Sequence, residues 1–119
     1  MMVYEEFVTP SDLEILEALG IEPESLDGES STRVIKVDDG ADDSIIVSYD
    51  VPGRSVRLQW MKAQKVLVDL FREAAVLMRI QADADTSLIL FDFRTQDSSG
   101  RLTIQVRPEL SIRESDLMR

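Results

Sequence analysis

Two residue types that often carry catalysis are missing from this sequence of 119 residues, which has no cysteine and no histidine. Without cysteine there is no disulfide, no thiol nucleophile and no zinc–thiolate site. Without histidine the chain lacks the usual general base near neutral pH, the commonest transition-metal ligand and a Ser-His-Asp triad. It also lacks the G-x-x-x-x-G-K-[ST], G-x-G-x-x-G and G-x-S-x-G motifs. We therefore predict a protein that is not an enzyme and uses no cofactor.

Positive charge and long apolar runs are scarce as well. The chain has 13 Lys and Arg against 23 Asp and Glu, a net charge of −10, which argues against binding nucleic acid or anionic membranes. No apolar run approaches roughly 18 residues and no signal peptide is visible, so we expect a cytoplasmic protein. Residues 1–50 hold 14 acids and 2 bases, whereas residues 51–119 hold 9 acids and 11 bases. This asymmetry indicates a basic protein partner.

The sequence pattern predicts a single domain spanning residues 1–119. A short helix is expected in "TPSDLEILEALG", capped by Thr9 or Ser11 and ended by Gly20, and a polar loop follows it. "DVPG" predicts a type II turn with a positive φ at Gly53. The tail "ELSIRESDLMR" fits a short edge strand or a frayed helix. Strands are expected in "TRVIKV", "SIIVSY", "RSVRLQW", "SLILFDFRT" and "RLTIQVR".

The segment "MKAQKVLVDLFREAAVLMRI" predicts one long amphipathic helix. It has no glycine or proline, and apolar residues recur at a spacing of three to four, namely Ala63, Leu67, Leu70, Ala74, Leu77 and Met78. The element order is then α-β-β-β-α-β-β. This order predicts an α+β fold, a two-layer sandwich of a mostly antiparallel five-stranded sheet with the long helix packed on it and the short helix at the N-terminus.

The candidate site is the stretch "VDDGADDSII", which holds Asp38, Asp39, Asp42 and Asp43. The residues lack the D-x-D-x-D-G spacing and closing acid of a calcium loop, so we predict no metal site. Asp and Gly suit a hairpin turn, where charge also discourages edge-to-edge association. The same aspartates could contact a basic protein partner, with Asp50 as a further contact. Both interpretations stay open on the sequence.

Trp60 and a group of arginines can each be interpreted as structural or as functional. Trp60 ends a strand, where its ring would pack in the core, or it could anchor an interface. Arginines on the strands or at their ends would pair with neighbouring acids on an open sheet face, or could together grip an anionic ligand. These arginines are Arg54, Arg57, Arg94, Arg101 and Arg107.

By size, acidity and element order the chain resembles two groups of bacterial proteins. One is the class I chaperones of type III secretion, which implies a dimer that holds an unfolded client segment. The other is the immunity proteins of polymorphic toxins, which implies a stoichiometric plug over a basic nuclease or deaminase site. The clustered acids favour the second group, because they could meet a cationic cleft. A chaperone groove instead needs exposed apolar surface, and the predicted strands and helix use most of the apolar residues for packing.

We therefore predict a protein-binding module, an immunity or antitoxin protein that occludes the active site of a basic toxin. Asp38, Asp39, Asp42, Asp43, Asp50 and Trp60 would bind the partner. The alternative is a secretion chaperone or dimeric adaptor, and a purely structural subunit is a third possibility. The sequence leaves open whether the protein is a monomer or a homodimer.

Overall fold

The computed structural model describes residues 5–26, 29–40 and 42–118. The predicted N-terminal helix is confirmed as α1, Asp12–Leu19. The Ser11 side chain accepts a hydrogen bond from the backbone N–H of Glu14, whose side chain accepts from the Ser11 backbone, so the two form a capping box. Gly20 ends the helix with a φ of 73°. This left-handed conformation is easiest for glycine, which has no Cβ.

Nine strands follow the helix in the described part of the chain. They are β1 Glu24–Leu26, β2 Glu29–Asp38, β3 Asp43–Asp50, β4 Ser55–Lys62, β5 Lys65–Glu73, β6 Ala75–Ala82, β7 Ser87–Arg94, β8 Ser98–Arg107 and β9 Ser111–Met118. All strand pairs are antiparallel, in a five-stranded sheet of order β1-β2-β3-β4-β5 and a four-stranded sheet of order β6-β7-β8-β9. No helix in these ranges is long and apolar enough to cross a membrane.

One hydrophobic core joins the two sheets. Strand alternation turns Ile45, Val47 and Tyr49 of the five-stranded sheet toward it, while Ile89 and Phe91 enter it from the four-stranded sheet. Buried Phe7, Ile15 and Leu19 join the same core from the N-terminal segment and α1. The rings of Phe7, Tyr49 and Phe91 lie 6.2–6.4 Å apart between centroids. Such tilted and edge-on aromatic contacts add to the stabilisation from buried area.

The predicted α+β fold is wrong, because residues 61–80 form strands and no long helix. The described residues are mostly strand, with one short helix, and this segment is the end of β4, all of β5 and most of β6. Ala63 (φ 50°) and Gln64 (φ 67°) make the tight turn between β4 and β5, and Ala74 (φ 67°) separates β5 from β6. Glycine or asparagine usually marks such positions, but here helix-forming residues occupy them. The sequence therefore gave no signal for either turn.

Of the predictions for single strands, turns and loops, some are confirmed and some are wrong. The expected strand "SLILFDFRT" is β7 and lies inside its sheet, and Leu102, Ile104 and Val106 of β8 are buried. The tail is the edge strand β9. Two turn and loop predictions are wrong: Arg54, with a φ of 53°, takes the left-handed position that was assigned to Gly53, and the expected loop after α1 contains β1.

Candidate partner-binding surface

The aspartate-rich stretch forms the turn of the β2–β3 hairpin, as the sequence predicted. Asp38 ends β2 and Asp43 begins β3. The backbone N–H of Asp39 donates to the Asp43 carbonyl at 3.1 Å, and the N–H of Gly40 donates to the Asp38 carboxylate at 2.8 Å. Gly40 (φ 80°) and Asp42 (φ 60°) adopt the left-handed conformation that short polar residues and glycine tolerate.

Three of the four aspartates face solvent. Asp38, Asp39 and Asp42 are exposed, and we call these three residues the acidic tip. Asp43 is half-buried, and its carboxylate accepts a hydrogen bond from the indole N–H of Trp60. Asp43 thus lies half-buried against Trp60, whereas the residues of the acidic tip are exposed.

Trp60 joins the turn to the core. It is half-buried and packs against the hydrophobic core next to Ile45, its partner across β3 and β4. The predicted core role of the ring is thus confirmed, and its N–H satisfies Asp43 as an indole usually satisfies a buried acceptor. Whether Trp60 also contacts a partner remains a prediction.

The turn of the neighbouring hairpin lies directly beside the acidic tip. The backbone N–H of Ala63, between β4 and β5, donates to the carbonyl of Asp42 at 2.8 Å. Lys62 is opposite Asp43 in the β3–β4 register and opposite Lys65 in the β4–β5 register. The acidic tip thus has a basic neighbour on one side, which gives this end of the sheet a charge pattern in place of a uniform negative field.

Asp50 is separated from the acidic tip by the length of a strand. It ends β3, seven residues beyond Asp43, a distance of about 23 Å at the rise of an antiparallel strand. One of its carboxylate oxygens is buried without a hydrogen-bond partner. Of the six residues predicted to bind a partner, the fold therefore brings five together at one end of the sheet: the four clustered aspartates and Trp60. Asp50 lies apart from them.

The arginines that were considered as an anion-binding group have separate partners. Three form ion pairs with acids: Arg57 with Asp69 at 3.1 Å, Arg101 with Asp92 at 2.8 Å, and Arg94 with Glu5 at 3.7 Å. The other two donate to backbone carbonyls: Arg54 to Ala75 at 3.1 Å and Arg107 to Leu19 at 3.0 Å. The interpretation as sheet-face residues paired with neighbours is confirmed for the three ion pairs.

The acids in the described part of the chain do not cluster as metal ligands would. Within residues 5–26, 29–40 and 42–118, no group of three or more acidic side chains is placed to hold a metal ion. The carboxylate of Asp69 shows what these acids do instead. Hydrogen bonds from Arg57 and then from Gln59 lower the pKa of Asp69.

The sequence reasoning missed an exposed apolar surface on β5. Val66, Leu67 and Phe71 are 55%, 53% and 58% exposed, although the helix prediction placed Leu67 in the apolar stripe that packs on the sheet. The available signal was the period of two, because Val68 and Leu70 are half-buried between these exposed neighbours. That alternation was read as part of a helical stripe.

Comparison with known proteins identifies a shared fold. No protein-family model matches the chain, and no curated protein matches its sequence. Among solved structures, a chain of the contact-dependent growth inhibition toxin–immunity protein complex from Klebsiella pneumoniae 342 superposes with a TM-score of 0.82 at 16% sequence identity. The match covers 96% of this chain and 100% of that chain. At this identity the likeness establishes the fold.

The two resemblances stated from the sequence now separate. The resemblance to immunity proteins of polymorphic toxins agrees with this neighbour, which comes from a toxin–immunity complex. The resemblance to class I secretion chaperones rested on size and acidity and on the order α-β-β-β-α-β-β. That order is wrong, because β5 and β6 replace the second helix.

Proposed function

We propose that this chain is an immunity protein that binds a toxin domain and blocks its active site by one-to-one occlusion. The observation that carries the proposal is the fold match to a chain of a toxin–immunity complex, which extends over 96% of this chain and the whole of the other. A fold hosts more than one function. The acidic surface described above therefore supplies the second support.

The acidic tip would meet a basic patch at the toxin's active site. Asp38, Asp39 and Asp42 are exposed at the end of the β2–β3 hairpin. Complementary charge of this kind raises the association rate and selects the partner. A nuclease or deaminase toxin fits best, because an active site that binds nucleic acid is rich in Lys and Arg.

Asp43 and Trp60 would support the acidic tip from below. The hydrogen bond between them joins the start of β3 to the end of β4, so the turn is held on two strands. The exposed part of the Trp60 ring would add an apolar contact beside the charges. We leave Asp50 out of the proposed surface because it lies at the far end of β3 and has a buried carboxylate oxygen.

Capture from the native host tests the proposal. The chain is immobilised as bait and the lysate is applied at low salt, and bound protein is then eluted with rising salt. We expect one basic protein that elutes with salt, inhibits growth when it is produced alone, and is harmless when it is co-produced with this chain. A captured protein that leaves growth unaffected would overturn the immunity assignment.

A matched bait controls for charge alone. Asp38→Asn, Asp39→Asn and Asp42→Asn together remove the charge of the acidic tip, while Asp85→Asn, Asp97→Asn and Glu109→Gln remove the same charge from exposed acids elsewhere. The first bait should lose the toxin at lower salt than wild type, and the second should retain it. Equal loss from both baits would mean that net charge, and not this surface, governs capture.

A further inference from the structure

The outer face of the four-stranded sheet carries arginines that the proposed toxin contact does not use. Strand pairing places one row of side chains across β6, β7, β8 and β9, namely Arg79, Leu90, Thr103 and Arg113. The next row crosses β7, β8 and β9 and consists of Asp92, Arg101 and Ser115. Both rows point away from the core, because their neighbours Met78, Phe91 and Leu102 are buried in it. We call Arg79, Arg101 and Arg113 the arginine face, and Asp92 is the one acid in its two rows.

Most hydrogen-bond donors of the arginine face have no protein partner in the described part of the chain. The Nε of Arg101 donates to Asp92 Oδ1 at 2.8 Å. The Nη2 of Arg79 lies 3.9 Å from the same carboxylate, beyond hydrogen-bond distance, and its Nε is buried with no acceptor. Arg113 is exposed and makes no hydrogen bond or ion pair with any described residue. Each guanidinium has five N–H donors in a planar fork, so one carboxylate cannot satisfy the arginine face.

Apolar and hydroxyl side chains lie between and beside these arginines. Leu90 faces outward yet is only 6% exposed, and Leu88, two residues earlier on the same face of β7, is half-buried. Ser99 and Ser115 line a concavity of about 490 Å³ next to Arg101. A surface that mixes guanidinium groups with apolar and hydroxyl side chains suits a polypeptide, which can contact each kind of group.

The spacing of two of the arginines matches the spacing of side chains on an extended strand. Ser115 is the direct partner of Arg101 across β8 and β9, and Arg113 is two residues from Ser115. Diagonal neighbours of this kind have Cα atoms roughly 7–8 Å apart. Alternate residues of an extended segment are about 7 Å apart, so acidic side chains at every second position would meet Arg101 and Arg113 in turn. Each guanidinium can take a carboxylate in a bidentate pair.

We propose that the arginine face binds an acidic segment of a partner protein, which lies extended on the outer face of the four-stranded sheet with its carboxylates on the guanidinium groups. Charge complementarity selects this occupant, because the donors that Asp92 leaves free need anionic acceptors. A long polyanion such as RNA fits less well, since the net charge of −10 repels it beyond the face. The acidic tip belongs to the five-stranded sheet, so this inference does not depend on the proposed toxin binding.

Nuclear magnetic resonance titration with defined probes tests the occupant. The isotope-labelled chain is mixed with a peptide of repeated Glu-Thr dipeptides, with its Lys-Thr counterpart, or with an oligouridylate that carries the charge of the acidic peptide. The acidic peptide should bind with a Kd below about 1 mM at low salt and shift the amides of β6–β9, whereas the basic peptide should leave these amides unchanged. The absence of saturable shifts with the acidic peptide, or tighter binding of the oligouridylate, would overturn the proposal. Shifts in β6–β9 that grow with protein concentration alone would identify a second copy as the occupant and would overturn it as well.

Glutamine substitutions separate this surface from net charge. Arg113→Gln should weaken binding of the acidic peptide by about threefold, and Arg101→Gln with Arg113→Gln by about tenfold, because bidentate pairs are lost. Lys36→Gln with Lys62→Gln removes the same charge from exposed positions on the five-stranded sheet and should change the Kd by less than about twofold. Arg113 contacts no described residue through its charge, so its replacement should leave the fold intact. Equal weakening by both pairs of substitutions would overturn the assignment to the arginine face.

Discussion

The indole N–H of Trp60 donates a hydrogen bond to the carboxylate of Asp43, across the β3–β4 pair and directly beneath the acidic tip. This contact gives Asp43, which is half-buried, a structural role beneath the three exposed aspartates of the acidic tip. It also connects the core, against which Trp60 packs, to the turn that we propose as the recognition element. The order of the turn and the integrity of the core are thereby linked.

A double-mutant cycle measures this link. Trp60→Phe and Asp43→Ala should each lower the free energy of unfolding by about 1–3 kcal/mol, because each leaves a half-buried polar partner or a packing defect. The double variant should lose about 1 kcal/mol less than the sum of the two, since the second change removes a contact already broken. Urea unfolding followed by far-ultraviolet circular dichroism gives all four values. Strict additivity would mean that the two side chains do not interact.

The acidic tip should control the rate of toxin association. Asp38→Asn, Asp39→Asn and Asp42→Asn together should slow association at low salt by at least tenfold, flatten its salt dependence and change the dissociation rate less. The fold should persist, because asparagine still accepts from the Gly40 N–H and tolerates the φ of 60° at position 42. Stopped-flow kinetics with the captured toxin supplies the rates. An unchanged association rate would remove the acidic tip from the interface.

Replacing alanine by glycine should have opposite effects on stability at Ala74, between β5 and β6, and at Ala82, at the end of β6. Ala74 has a φ of 67°, so Ala74→Gly relieves left-handed strain of about 1–2 kcal/mol, offset in part by the entropy of glycine in the unfolded chain. Ala82 lies at the exposed end of β6 with no positive φ, so Ala82→Gly should destabilise by about 0.5–1 kcal/mol. Urea midpoints should rank Ala74→Gly above wild type and Ala82→Gly below it. A helix over residues 61–80 would instead predict that Ala74→Gly is destabilised.

Tyr49 should make stability sensitive to alkaline pH. Its hydroxyl is buried without a partner, and burial, with Asp12 adding and Arg33 opposing, raises the pKa of Tyr49 to about 12. The unfolded chain has a pKa near 10. The stabilisation from the neutral phenol is therefore complete below pH 10 and is lost as the pH rises from 10 to 12.

The variant Tyr49→Phe isolates this effect. At pH 7 it should be neutral or stabilising by up to about 1 kcal/mol, because it deletes a buried hydroxyl that has no partner. Between pH 8 and pH 11 the variant should gain stability relative to wild type, since only the wild type has this phenol to ionise. Urea unfolding of both proteins at each pH cancels the titration of the lysines. A difference that is the same at both pH values would contradict the shifted pKa.

Local signals in the sequence were sufficient wherever the chemistry of a turn or cap agreed with the fold. The helix α1 begins at a serine cap and ends at Gly20, and β4 alternates Val56, Leu58 and Trp60 toward the core. The aspartate-rich turn was predicted for the same reason, since Asp and Gly favour it. In these segments the residue types, the periodicity and the tertiary structure agree.

The helix prediction for residues 61–80 failed because strand pairing in the tertiary structure overrode the local preference for helix. Alanine and glutamine occupy the left-handed positions 63, 64 and 74, where sequence reasoning expects glycine or asparagine. Leucines at positions 67, 70 and 77 satisfy a helical spacing and lie equally well on strands, so periodicity could not decide. The contact between Trp60 and Asp43 depends on strand register, which the sequence did not specify.

The most direct measurement of the central proposal is a titration of the captured toxin's catalytic activity with this chain. The proposal predicts that activity falls linearly and reaches zero at one molar equivalent, with the Asp38, Asp39 and Asp42 variant needing an excess at the same concentrations. Such a stoichiometric end point is what occlusion of an active site requires. Toxin activity that persists at saturating concentrations of the chain would contradict the account.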